Sequence, residues 1–469
     1  MTMTLSNRRV PAVVALAILV GGLVVLGNVA VQVPKAKAAR TITNAPAVLA
    51  AGAVRSAAWY CPMATPAATI PSADGIQIAN LETKIVVVDV SLIGGGDVIR
   101  RRRVDVGGRS TTFMAMSEFG SKRQGAILVE SFGPGIVVEH LAQMGSKAAL
   151  TPCATESSSR WYFAAGSTRK SVVETIALAN PFGQSATIDI SLLTVQGALR
   201  PGSLQGIEVE ARGRTAINVN RGADQREVLA VEVVARGGTR VVAELAMAGI
   251  GDSAALTPLS LMVGAPAADT QWHLVDVDTD RDTKHEIVVM NPADTRLAVS
   301  VQTLVDGEHE VSQRDLTVEP RSVAIVDPRA IASSKRDMTV IVYARSTFIA
   351  GDLIVAGERT KRFAGSAVAA ASNAISTRSV FGLDRTEQLN DALIVVENVN
   401  DEPVTIEIRV GGASVSQRAI IPGNERKTIK LRSNTISMPV IVVSDLAVSV
   451  SRRLSGAAGT SRSIAIPTL

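Results

Sequence analysis

Apolar and polar residues alternate along most of this chain. From Trp161 to Leu193 the sequence reads WYFAAGSTRKSVVETIALANPFGQSATIDISLL. An aromatic pair precedes the alternating run Val173-Glu174-Thr175-Ile176-Ala177-Leu178. A turn signal follows at Asn180-Pro181, then a second alternating run from Ala186 to Leu192. Period-two alternation on both sides of a turn predicts two antiparallel strands, each with one face in a core.

The pattern occurs four times. Trp59, Trp161, Trp272 and Phe381 open the copies, and Asn80, Asn180, Asn291 and Asn398 follow them by 21, 19, 19 and 17 residues. The aromatic residues are spaced by 102, 111 and 109 residues, and they include all three tryptophans. Each Asn lies between two apolar runs, as Ile287 to Met290 and Leu297 to Val301 flank Asn291. A turn with a basic residue comes next in each copy: Gly108-Arg109-Ser110, Gly213-Arg214-Thr215, Pro320-Arg321-Ser322 and Glu425-Arg426-Lys427. The block from Gly145 to Pro152 returns almost literally from Gly251 to Pro258, 106 residues later. Independent markers with one period identify a tandem repeat.

Each copy holds roughly seven short strands separated by Gly, Pro, Asn and Asp turns, the pattern of a β-sandwich. The expected fold is therefore all-β, with four tandem Ig-like β-sandwich modules at 58–155, 156–266, 267–373 and 374–469. The segment 367–375 reads either as a linker or as the last strand of the third module. A four-bladed propeller ranks lower, because a blade needs only about four strands, half of this repeat.

The N-terminus departs from the pattern. Residues 1–9 end in Arg8-Arg9, and 10–34 are uncharged. That stretch reaches the roughly 20 residues that span a bilayer, and the arginines before it place the N-terminus inside. It reads as a transmembrane signal anchor after a short cytoplasmic tail, although Ala36-Lys37-Ala38 resembles a cleavage site. Residues 35–57 read as an Ala-rich tether. The expected location is the cell membrane, single-pass, with the bulk of the chain extracytoplasmic.

Composition refines this picture. The chain has 469 residues, 46% hydrophobic but only 3% aromatic, so its cores are built from Val, Ile, Leu and Ala. Such β-branched residues suit strands. The net charge of +5 comes with no aromatic and basic platform, which argues against nucleic acid. It fits mild attraction to anionic lipids or envelope polymers.

Few residues suggest chemistry. Cys61 and Cys153 lie at the two ends of the first module, and an exported chain can keep a disulfide between them. The other reading is two buried thiols. Asp276, Asp278, Asp280 and Asp282 resemble a calcium loop, but Arg281 occupies the glycine position and Ile287 the twelfth, so a solvated acidic loop is expected. Gly251-Asp252-Ser253 lacks the G-x-S-x-G context of a nucleophile. His140, His273, His285 and His309 show no metal-ligand spacing and read as surface or partly buried residues. Arg100, Arg101, Arg102 and Arg103 form the strongest basic cluster. They read as a protected strand edge, or as a contact for anionic lipid or wall polymer. The four repeat-opening aromatics read as packing residues rather than a sugar-stacking platform. No metal, cofactor or catalytic group is expected.

The start Trp59-Tyr60-Cys61-Pro62, the Cys153 partner, the run Trp161 to Thr168 and the Asn-Pro hairpins resemble an uncharacterised family of exported, membrane-anchored actinobacterial proteins. The aromatic, Gly and Asn-Pro pattern is also similar to β-sandwich repeats of bacterial surface proteins. The likeness is best in the first two modules. It thins in the fourth, where Phe381 replaces Trp and no Pro follows Asn398. It implies place and fold, not activity. The resulting expectation is a non-enzymatic envelope protein, a spacer or scaffold of stable, extended modules that binds envelope proteins or anionic wall glycans. The alternative is an enzyme, or an enzyme accessory, acting on envelope polysaccharide, which needs paired carboxylates in a cleft.

Overall fold

The computed structural model describes residues 45–47, 57–66, 73–120, 125–145, 147–223, 225–250, 258–277, 283–308, 311–332, 334, 336–356, 365–382, 391–411, 417–431, 438–456 and 459–468. The expected tail and membrane anchor, and most of the tether, lie outside them. Among the described residues no helix is long and apolar enough to cross a membrane.

The first repeat contains β1 (Ala57–Cys61), β2 (Ala73–Asn80), β3 (Val86–Gly94), β4 (Asp97–Val106), β5 (Thr111–Ala115), β6 (Ala126–Ser131), β7 (Ile136–Met144) and β8 (Lys147–Pro152). They form two antiparallel sheets, β1-β6-β3-β4 and β5-β2-β7-β8. Alternation builds the layer between them. Trp59, Val88, Val90 and Val129 from one sheet share a core with Ile76, Ile78 and Val138 from the other. The same order recurs in the later repeats. In the third and fourth, the counterparts of β6 and β7 are one continuous strand, Met338–Ala356 and Val440–Gly456, which runs from one sheet into the other.

The repeated Asn sets a corner between the sheets. Asn180 Nδ2 donates to the carbonyls of Gln184, Val209 and Glu210, at 2.7, 3.2 and 3.0 Å, and its Oδ1 accepts from Phe182 N–H. Asn291 and Asn398 make all four corresponding bonds, and Asn80 makes three of them, to Lys84 O, Val106 O and Glu82 N–H. All four are buried. The side chain satisfies backbone groups that the turn leaves without a ladder partner. Proline is dispensable, as Leu81 and Val399 follow two of the four.

The basic turns need a change of register. Arg109, Arg212, Arg321 and Asn424 share a left-handed φ of 54°, 45°, 50° and 54° and are the true counterparts. Arg214 and Arg426, aligned with Arg109 by sequence, stand two residues later on the next strand.

The repeats are not extended. They close into a ring. β8 lies against its counterparts Ser260–Val263 and Gly459–Ile464, and Gly365–Ala370 joins those two. Val263 N–H donates to Thr151 Oγ1 at 3.1 Å, Val368 N–H to Ser260 Oγ at 3.3 Å, and Leu150 N–H to Ser461 Oγ at 3.1 Å. One edge strand per repeat thus faces the middle, as in a propeller, but each repeat is a two-sheet unit.

Between neighbours, the β2–β7 sheet of one repeat covers the β1 strand of the repeat before it. Small residues permit the approach. Ala64 packs with Ala177 and Ala246. A Cβ on Gly351 would come within 3.2–3.3 Å of Ala164 and Ala165. Strand Val172–Asn180 is in consequence buried at all nine positions, where alternation alone predicts one buried face. Ala45–Ala47, expected in the tether, is also buried, and Thr155 N–H donates to Pro46 O at 3.1 Å.

Candidate functional site

The ring interfaces concentrate the buried charge of the molecule. Between the first and second repeats, His140 on β7 binds Glu244 of the second repeat through Nδ1 and Asp74 of its own repeat through Nε2, at 2.5 and 2.7 Å. Burial disfavours the imidazolium, but the Glu244 charge and the hydrogen bonds to both carboxylates outweigh it and push the His140 pKa up to about 10. The ring is therefore charged at neutral pH. Beside it Arg214 donates to the carbonyls of Pro62 and Met63, at 2.7 and 2.6 Å.

Between the second and third repeats, Arg321 reaches Glu232 at 2.5 Å, and Arg160 holds the other oxygen at 3.1 Å. Between the third and fourth, Asp276 accepts from Arg453 and from Arg462, and His273 Nδ1 meets Glu397 at 2.9 Å. Burial acts to raise the Asp276 pKa, yet the guanidinium charges of Arg453 and Arg462 hold it below the usual carboxylate range. Between the fourth and first, Arg452 grips Glu139 with two parallel bonds of 2.7 and 3.1 Å, and its guanidinium lies 5.1 Å from the Phe381 ring centre.

Each of the four interfaces thus has a carboxylate held by a cation from the adjoining repeat. Arg452 and Glu139 are at most 1% exposed, so the pair is dry, and its two parallel bonds make it directional. A cavity of about 20 Å³ lies within the third and fourth repeats, lined in part by His273, Asp276, Asp352, Ser451 and Arg462. It has room for about one water molecule. Chemically, the arrangement fixes neighbours in one orientation.

A family model described as "Family of unknown function (DUF5719)" matches residues 134–254 and 264–435, more than half of the chain. The chain belongs to this family. No curated protein matches it. Among solved structures, a tetra-tandem repeat from the extending region of a large adhesion protein is 12% identical, with 88% of this chain and 99% of that chain covered, at a TM-score of 0.11.

In this DUF5719 protein Cys61 and Cys153 form a disulfide, with Cα atoms 4.8 Å apart. Trp59, Trp161, Trp272 and Phe381 are at most 2% exposed. Trp161 and Trp272 donate their indole N–H to the carbonyls of Val241 and Phe348, at 2.8 and 2.7 Å. Arg100 to Arg103 lie on β4, an edge strand. Arg101 and Arg103 bind Asp89, Arg101 also binds Glu130, and Arg102 binds Glu118. Most of that positive charge is neutralised locally.

Asp276 is an interface residue rather than a loop ligand. Asp278, Asp280, Asp282, Gly251 to Ser253 and His309 lie outside the described residues. The surface reading of the other histidines is overturned. His140, His273 and His285 are at most 3% exposed, and His285 pairs with Asp352 at 2.6 Å. Sequence reasoning missed this belt because its members come from different repeats. One local signal existed. The position six residues before the corner Asn holds Asp74, Glu174 and His285, ionisable groups inside apolar strands.

Proposed function

We propose that this protein is a non-enzymatic, membrane-anchored envelope protein of the extracytoplasmic side, whose repeats form a scaffold that binds other envelope proteins or wall glycans. The observation that carries the reading is the use of buried charge. Arg452, Arg453, Arg214 and Arg321 all serve contacts between repeats, so the chemistry of the interior goes into holding a shape. A Cys61–Cys153 disulfide suits an oxidising compartment outside the cytoplasm. The uncharged stretch 10–34 has the length of a membrane span. A closed ring favours a compact platform over a long spacer.

The test is capture from native membranes with the tagged full chain, run in parallel against purified wall fractions. Specific retention of an envelope protein or a wall glycan is the expected result. Recovery of the chain from the cytosolic fraction, or retention of neither class, would remove the basis for the proposal.

A further inference from the structure

The four repeats provide an internal control for surface residues. Taken from the corner Asn, three outward positions can be compared. Five residues on stand Ile85, Ser185, Arg296 and Pro403, and seven on stand Val87, Thr187, Ala298 and Thr405. The strand register places Phe132, Arg236, Arg345 and Asp445 beside them, each directly after the partner of the residue eight places beyond the Asn. Repeats two to four put mostly polar or charged groups here. The first repeat alone puts Ile, Val and Phe at these positions; the fourth exposes Ile420, opposite Thr405, and Leu446, directly after Asp445, at the corresponding end.

Ile85 is 64% exposed and Phe132 55% exposed. They stand at the same end of the sandwich, because Phe132 N–H donates to Val87 O. Exposed Lys84 and Arg109 share this end, and the Arg103 guanidinium lies 5.9 Å from the Phe132 ring centre. Asp105, opposite Val87, and Glu130 offset part of the positive charge.

We propose that this apolar tip of the first repeat seats in the interfacial layer of a lipid bilayer. Two protruding side chains are far less than the roughly 1,200–2,000 Å² that a stable protein interface buries. They suffice for lipid when a chain is already held at the surface, because tethering raises the effective concentration. The first repeat is the one that follows the uncharged stretch, with only residues 35–44 between that stretch and buried Ala45. The inference rests on the membrane-anchored reading above. Mixed charge around the tip makes the contact depend on apolar insertion, with basic groups at headgroup level.

The experiment uses the full chain in nanodiscs with and without brominated lipid. Phe132→Trp and, separately, Ile85→Trp supply the reporter. The three native tryptophans are buried in the ring and give a constant background. Arg236→Trp, the same position in the second repeat, is the control. Brominated lipid is expected to quench the added fluorescence at 132 and 85 but not at 236, with little change on raising salt. Chain that enters discs without quenching at 132 and 85 overturns the tip while leaving the anchor intact, and would leave a protein partner as the occupant. Equal quenching at 236 also overturns it. Chain that does not enter discs at all overturns both readings.

Discussion

Glu174 offers a quantitative test of how the repeat uses its buried charge. It occupies the position six before the corner Asn, as Asp74 and His285 do in the first and third repeats. The diagonal neighbour on the adjoining strand is the residue opposite the fourth position before the Asn. It is His140, Leu245, Asp352 and Arg452 in the four repeats. Asp74 pairs with His140 at 2.7 Å, and His285 with Asp352 at 2.6 Å. These are the same two positions with acid and base exchanged. In the second repeat the acid remains and the base is Leu245. Glu174 is fully buried and accepts one bond, from Ser167 N–H at 2.8 Å. Burial pushes its pKa up to about 8, against a smaller opposing effect of that bond.

The sign follows from linkage. The folded pKa lies above the unfolded value, so stability is fully present below about pH 4.5 and is lost as pH rises through about 8. With about 1.4 kcal/mol per unit, the loss is about 3 kcal/mol at pH 7 and approaches about 5 kcal/mol above pH 8. Glu174→Gln keeps the acceptor and cannot ionise. Urea unfolding of wild type and variant at pH 5, 7 and 8.5 isolates this group, since alkaline loss from His140, whose pKa is raised to about 10, is common to both. The variant's advantage should grow by several kcal/mol from pH 5 to 8.5. Parallel pH profiles would refute the argument. Leu245→His, which restores the pair seen in the first repeat, should bring the Glu174 pKa down.

Other expectations follow from the same structure. Arg452→Met alone strands the Glu139 carboxylate and should cost roughly 3–5 kcal/mol, whereas Arg452→Met with Glu139→Leu should recover most of it; a double-mutant cycle in urea measures both, and additive losses would contradict the pairing. Asn180→Ala removes the donor to three carbonyls and should cost at least about 2 kcal/mol, read as a lower unfolding midpoint. The Cys61–Cys153 bond spans 92 residues, and its removal by paired Ala substitution should cost roughly 4–5 kcal/mol in the chain-entropy model; peptide mapping without reductant should find the two cysteines linked, and two free thiols would refute it.

Much of the repeat was legible because its markers are local. An aromatic residue, an Asn and alternating runs lie within one stretch of chain, and each has a physical cause. The aromatic fills a core, and the Asn side chain caps a corner. The Asn is the marker common to all four copies, and the proline that follows two of them is dispensable, since Asn398 builds the same bonds without it and Asn80 three of the four. The basic turns are less legible. A Gly-Arg dipeptide looks alike on either side of a turn, and only the left-handed φ of Arg109, Arg212, Arg321 and Asn424 fixes the register.

The ring was not legible, because alternation tells which face of a strand is buried but not what covers the other. In VVETIALAN the residues on the supposed outer face include Val173, Thr175, Ala177 and Ala179, small or apolar enough to sit against Ala64 and its neighbours. That composition was the available clue, since a solvated strand face carries longer polar side chains. The interface charges misled in the opposite direction. Glu139, Glu244 and Asp276 look like surface residues until partners 313, 104 and 177 positions away are known. A buried carboxylate stays ionised only with its cation in place, where Glu174 without one is pushed toward the neutral acid, so each pair needs the ring to be closed. Closure and charge burial therefore stand or fall together, and that coupling explains why a sequence read one repeat at a time cannot display either.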